Sequence, residues 1–522
     1  MLRTRIRLTV AALTALATVA VPGSTLASPG GGAELVNPGF ETGGAVAAPV
    51  GWAEHGEQAA SFTEPGGHSG ALRLTHYSAQ AYQVVTSQRL QGLRRGTYTL
   101  RAWVRSSGNQ NSVHLALTGC GGSPAQVAVP RTGPEWWVQI VLSTRVEGGR
   151  CTIAVSSDAA AGDWLNVDDL EFTPSSRPVG DVDIQGADVS QLAKNETYGA
   201  VYRDARGRPR DALQILKANG VNYLRLKVWV DSADDFHELD DILTMARRAK
   251  AQGMKLLVDF HYSDAWADPG KQNKPASWAS LPFEELKQAL YDHTYQVLAA
   301  LRAQHTPADM AQLGNEINGG MLWPDGRWDN WDGLAALLTA GGAAVRAASP
   351  GTKVVLHLAE GGNNGGHVWW FDNAIARGVT FDIIAVSQYV YWHGPLGYLQ
   401  ANLFDLVNRY GKDVMVVETA YGFTTAENDH ETNIFNPALA EAAGYPATPE
   451  GQTQALRDMF NVVAAVPNGH GLGVFYWEPT WTAVAGGGWD PADPASGDGW
   501  ENQALFDYSG RALPALRVFA DF

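Results

Sequence analysis

From residue 183 onward, eight short apolar runs alternate with helix-length amphipathic stretches, and a chain with that repeat has few ways to bury both kinds of element. The runs are Gly186–Ser190, Tyr223–Val230, Lys255–His261, Met310–Glu316, Lys353–Leu358, Phe381–Tyr389, Val414–Thr419 and Gly473–Trp477. Between them, segments such as Phe283 to Gln304 and Trp331 to Ala348 repeat apolar residues at three- and four-residue spacing. Eight strand–helix units over residues 183–522 predict an α/β fold, a (β/α)₈ TIM barrel; an open doubly wound sheet is the alternative.

The residues before that repeat behave differently. Residues 34–173 alternate apolar and polar positions in short runs such as Gly96–Val104, separated by glycine-rich breaks, which is an all-β pattern. Residues 1–27 carry Arg3, Arg5 and Arg7, an apolar run from Leu8 to Val21 and small residues near Ala27, which is the pattern of an export signal. The expected organisation is a signal peptide at 1–27, a β-sandwich module at 28–173, a linker at 174–182 and the barrel at 183–522. The linker holds no apolar residues in register, so the two domains are expected to fold separately.

Export fits the two cysteines, Cys120 and Cys151, which are expected to pair in an oxidising compartment. Net charge is −16, and loss of the three arginines of the leader makes it −19, which argues against nucleic acid as a partner. No later stretch approaches the roughly 20 apolar residues of a membrane span, so a secreted protein with no membrane partner is expected. Only 18% of residues are charged, whereas tryptophan occurs 18 times. Low charge with many indoles suits a neutral ligand with flat apolar faces, such as a sugar ring, although any one tryptophan can equally fill a core.

In a barrel the site forms at the C-terminal ends of the strands. The polar residues there are Asp188, Arg225, Lys227, Asp259, His261, Asp264, Asn315, Glu316, His357, Ser387, Tyr389, Glu418 and Glu478, with Trp477 beside the last. Glu316 and Glu418 each end an apolar strand, where burying a carboxylate without a purpose is costly. Strands four and seven face one another across the mouth, so the two can flank one glycosidic bond.

The motifs are specific. Val258–Gln272 reads VDFHYSDAWADPGKQ and Gly314–Pro324 reads GNEINGGMLWP. With Gly186–Ser190, Val416–Tyr421, Phe475–Pro479 and Asn502–Asp507, the chain from 185 to 520 resembles glycoside hydrolase family 53, the arabinogalactan endo-β-1,4-galactanases. The resemblance implies a retaining mechanism with Glu316 as acid/base and Glu418 as nucleophile. It implies substrate contacts from Asp188, Arg225, His261, Asp268, Lys271, Asn315, Trp323, Tyr389, Trp392, His393 and Trp477, with Asn315 as the partner of a sugar 2-hydroxyl, Arg225 also holding Glu418 ionised and Tyr389 orienting it. The substrate it implies is the β-1,4-galactan of plant cell walls, and no organic cofactor is needed; mannan, xylan or cellulose and a non-catalytic binding role are the competing readings.

Some relatives carry calcium after strand seven, so Asp429, His430 and Asn433 are candidate ligands of a structural Ca²⁺. The ends of the 34–173 segment, ELVNPGFE and LNVDDLEF, resemble jelly-roll carbohydrate-binding modules, with Trp136, Trp137, Trp164 and Tyr82 as stacking candidates or core. A monomer is expected.

Overall fold

The computed structural model describes residues 34–121, 124–175 and 182–522. The expected export signal lies outside these residues, and so does most of the expected linker, 176–181.

Residues 53–175 form two antiparallel sheets. One is ordered Ala53–Gly56, Tyr82–Gln91, Arg150–Ala159, Ser112–Thr118, Ala125–Ala128. The other is ordered Ser61–Pro65, Leu72–Tyr77, Trp164–Ser175, Gly96–Ser106, Val138–Val146. Tyr82–Gln91 buries every second residue, as a strand with one face on a core must. Leu100, Val104, Leu117, Ile153 and Val167 meet in that core. Cys120 and Cys151 are bonded, closing a loop of sequence separation 31 inside the module. Tyr82 is core, its hydroxyl donating to the carbonyls of His76 and Asp163.

The second domain is a closed parallel barrel. Its strands are β1 (Ile184–Asp188), β2 (Tyr223–Val228), β3 (Lys255–Phe260), β4 (Met310–Leu313), β5 (Lys353–Leu358), β6 (Ile383–Ser387), β7 (Asp413–Thr419) and β8 (Gly471–Trp477). The longer helices around it are α1 (Ala212–Ala218), α2 (Leu239–Ala251), α3 (Phe283–Ala303), α4 (Trp331–Ala348), α5 (Asn364–Ala376), α6 (Leu396–Tyr410) and α7 (Pro449–Ala464). None of the described helices is long and apolar enough to cross a membrane.

The barrel interior is layered by the two-residue period of its strands. Ile184, Tyr223, Leu257, Met310, Val355, Ala385 and Phe475 form the apolar layer. Two residues further along β2 to β6 come Arg225, Asp259, Gln312, His357 and Ser387, so the same faces that seal the barrel below present polar groups above. In β7 the register slips between Val416 and Thr419. That irregularity lets Glu418 turn inward although its neighbour Val417 already packs in the apolar layer.

The two domains touch, although the linker sequence holds no apolar residues in register to dock them. The docking surface lies elsewhere, on the loop before Val138–Val146 and on α6 and α7. The Trp136 ring meets Tyr398 edge-on at 4.3 Å. Gln400, 1% exposed, accepts from the Gln139 N–H at 2.6 Å and donates to its carbonyl at 2.9 Å. The Arg131 N–H reaches buried Asp458 at 3.4 Å. A linker's composition carries no information about such contacts, because the residues that make them are more than 30 positions away from it.

Candidate active site

Arg225 organises the floor of the barrel mouth. Its guanidinium, 1% exposed, donates to Asp188 at 2.6 Å, to Asp259 and the Asn315 carbonyl at 2.8 Å each, and pairs with Glu418 Oε1 at 2.8 Å. One buried cation among three carboxylates is a high-stakes arrangement, since the acids repel one another wherever the guanidinium is missing. Glu418 Oε2 accepts the Tyr389 hydroxyl at 3.0 Å. Burial and the adjacent carboxylate hold the Tyr389 proton well above the ordinary phenol range, so this hydroxyl stays a donor. Arg225 pairs with Glu418, and Asp188 and Arg225, both buried, are not among the residues that line the cleft.

Glu316 follows β4 in the left-handed conformation, φ 48°, which lifts its carboxyl off the strand line and into the mouth. The Glu316 N–H reaches His357 Nδ1 at 3.3 Å, and the Gln312 amide and the Asn315 side-chain oxygen each lie 3.0 Å from the same nitrogen. His357 Nε2 lies 2.7 Å from the Ser387 hydroxyl, which in turn hydrogen-bonds the Glu316 carboxyl. Burial beside Arg225 keeps His357 neutral, its pKa well below the usual value. Gln312 gave no signal in the sequence, because an amide inside an apolar strand reads as noise until its partners are known.

Burial raises both carboxyls above the ordinary carboxylate range, and the repulsion between them adds to it at Glu418. Asp268, in the loop after β3, pushes Glu316 further up. Within the pair the guanidinium and the Tyr389 hydroxyl place the negative charge on Glu418, which leaves the shared proton on Glu316.

Above these groups lies a cleft of about 540 Å³. Its lining includes the expected His261, Asp268, Lys271, Asn315, Glu316, Tyr389, Trp392, His393, Glu418 and Trp477. His261 Nδ1 accepts from the Trp229 indole and the Ala267 N–H, so its Nε2–H is directed at Asp259, 3.0 Å away. Asp268 and Lys271 exchange backbone hydrogen bonds at 3.0 Å, a tight turn at the rim. Asn315 gives one amide proton to the Ala267 carbonyl at 2.8 Å and keeps the other.

Trp323 is not among the lining residues; its indole donates to the Gly319 carbonyl at 2.8 Å and packs against that glycine, shaping the loop after β4. The indole wall comes instead from Trp266, Trp481, Trp489 and Trp500 beside Trp477. Trp266 and Trp481 stack at 5.6 Å. Beneath them the Lys227 ammonium sits 3.7 Å from the Trp266 ring centroid and 3.9 Å from Glu478, and burial brings its pKa down to about 8. Lys227 and Glu478 therefore support the wall and do not line the cleft.

Asp429, His430 and Asn433 lie together in the loop after β7, where the Asn433 N–H donates to Glu427 at 3.0 Å. Both Asp429 oxygens accept backbone N–H groups, of Glu431 and of Asp498 at 2.8 Å each, and among the described residues no three His, Cys, Asp or Glu side chains converge to hold an ion.

Residues 184–519 match the model of glycosyl hydrolase family 53. The chain is 36% identical to the endo-β-1,4-galactanase of Bacillus subtilis over 64% of its own length and 85% of that protein. It is 35% identical to the arabinogalactan endo-β-1,4-galactanase of Thermothelomyces thermophilus, covering 64% of this chain and 98% of that one. Among solved structures, the family 53 catalytic domain of Ignisphaera aggregans superposes with a TM-score of 0.62 at 42% identity, over 65% of this chain and 95% of that domain.

Proposed function

The chain belongs to glycosyl hydrolase family 53, and from that premise we propose that it is a secreted, retaining endo-β-1,4-galactanase acting on the galactan of plant cell walls. The observation that carries the catalytic assignment is the unequal treatment of two carboxyls in one cleft: Glu418 is held by a guanidinium and a phenol, and Glu316 is not. The relatives named as galactanases support the substrate.

In the first step the protonated Glu316 gives its proton to the glycosidic oxygen as the bond to the anomeric carbon breaks. The Glu418 carboxylate attacks that carbon, and a glycosyl ester forms while the shortened chain leaves as an alcohol. In the second step the ionised Glu316 takes a proton from water, whose oxygen displaces Glu418 and restores both groups. The ester removes the negative charge of Glu418, which lowers the Glu316 pKa and raises it again after hydrolysis. Asn315 offers its remaining amide proton to the sugar 2-hydroxyl. Two carboxyls and water balance the reaction, so no cofactor enters it.

The Trp266, Trp477, Trp481, Trp489 and Trp500 wall provides apolar faces for the C–H side of pyranose rings. Residues 1–27 serve as the export signal, and the enzyme acts as a monomer. Incubation of the pure protein with galactan beside mannan, xylan and cellulose, with the products sized, tests the proposal. Release of short galacto-oligosaccharides from galactan alone is the expected result; preferential cleavage of another glycan overturns the substrate, and no cleavage of any overturns the enzyme.

A further inference from the structure

The cleft has an aromatic rim on the side that leads into α6. Trp392 stands at its rim, 49% exposed, and two residues later the chain turns through Gly394 and Pro395 into α6. The third residue of that helix is Tyr398, 37% exposed. Its ring closes over Gly394, where an added Cβ would lie 3.2 Å away, and its Cβ over Gly362, where one would lie 2.7 Å away. Gly362 belongs to the β5 loop, which contributes Glu360 to the cleft, as the β6 loop contributes His393. Tyr398 thus stands on the two turns that form this wall. The next aromatic outward is Trp136, which comes from the other domain, 4.3 Å away and inclined at 76°. Trp136 is half-buried, packed on Gly397 on one side and partly open to solvent, so the pair presents accessible ring surface of both domains. Among the described residues no cation stacks on either ring, which fits a neutral ligand.

We infer that Tyr398 and Trp136 form a distal sugar-binding platform shared by the two domains, which takes further units of the same β-linked chain that occupies the cleft. The inference rests on the galactanase reading. The docking makes the platform possible: the Gln139–Gln400 exchange fixes Trp136 beside α6, so the module adds binding surface in a fixed position and not at the end of a free tether.

The test uses full-length protein and galacto-oligosaccharides of increasing length. Each of Tyr398→Ala and Trp136→Ala is expected to lower kcat/KM for the longest oligosaccharides by roughly three- to tenfold, as loss of one aromatic contact does. The loss should shrink as the substrate becomes too short to leave the cleft. Tyr398→Phe keeps the ring and should keep the length dependence, which separates a platform from a fold defect. In the Glu418→Gln background, titration calorimetry should show the same length-dependent weakening of binding by Tyr398→Ala. A loss of equal size at every length, or none at any, overturns the platform. If the unmodified protein does not turn over galacto-oligosaccharides at all, it is the galactanase reading that fails.

Discussion

At the scale of single residues, the site depends on how one charge and one proton are divided between Glu316 and Glu418. Either change, Glu316→Gln or Glu418→Gln, should cost far more than tenfold in kcat on polymer, about 1.4 kcal/mol per factor of ten. Glu418→Gln should still bind galactan, because it keeps the shape and loses only the charge. A loss below about tenfold for either variant rules out that residue's role. The pH profile has a definite sign. In the proposed mechanism the active form has Glu418 ionised and Glu316 protonated, so rate should rise as the pair loses its first proton and fall as it loses the second. Burial and nearby carboxylates raise both losses, so the alkaline limb should lie well above the ordinary carboxylate range. On an aryl galactoside whose leaving group needs no acid, Glu316→Gln should retain kcat/KM, which reports formation of the ester, and lose that limb while kcat falls; an unchanged alkaline limb would assign it to another group. These two glutamates were legible from the sequence because a carboxylate ending an apolar strand is expensive. Arg225 as the partner of Glu418 was legible too, through the family resemblance; the burial of Asp188 was not, since a polar residue at a strand end looks the same whether it meets substrate or lies beneath the residue that does.

At the scale of elements, the strands were legible because their apolar runs match the two-sided burial of a parallel barrel. The alternation within them also fixes which residues point inward, from the apolar layer to Arg225, Asp259, Gln312, His357 and Ser387. Two local departures were not legible. The irregularity in β7 changes the face of Glu418, and the run expected to extend to Glu316 stops at Leu313, with Glu316 at φ 48°. Both place a catalytic carboxyl off the regular ladder, where functional residues often sit. The indole wall was missed for a different reason: Trp481, Trp489 and Trp500 lie in irregular chain after β8, which has no period to read. One element-level prediction follows from the interior packing. Gly186 in β1 faces Phe475 of β8, and an added Cβ would lie 2.3 Å from that ring. Gly186→Ala should therefore destabilise the barrel by about 1–3 kcal/mol despite alanine's smaller backbone entropy cost. Chemical denaturation measures this, and unchanged stability would mean that Phe475 can move aside.

At the scale of the whole molecule, the question is whether the sandwich and the barrel unfold as one body. Composition suggested two independent units, yet the contacts join them at three kinds of group: the Trp136 and Tyr398 rings, the buried Gln400 amide bound to the Gln139 backbone, and the Arg131 N–H at Asp458. Buried polar partners make the joint costly to open in part, because a separated Gln400 loses both bonds at once. Calorimetry of the mature protein should accordingly show the module and barrel melting in one coupled transition. Gly397 gives a way to uncouple them. It is the second residue of α6, and an added Cβ would lie 2.6 Å from Trp136 Cβ. Helix propensity alone favours Gly397→Ala by up to about 1 kcal/mol, so a barrel on its own would gain stability from the change. In the docked molecule the methyl instead pushes Trp136 away, and the variant should show two separated transitions, the module's at lower temperature and sensitive to reduction of the Cys120–Cys151 bond. Two transitions already present in the unmodified protein, at temperatures that Gly397→Ala does not change, would mean that the interface holds the domains side by side without coupling their stabilities.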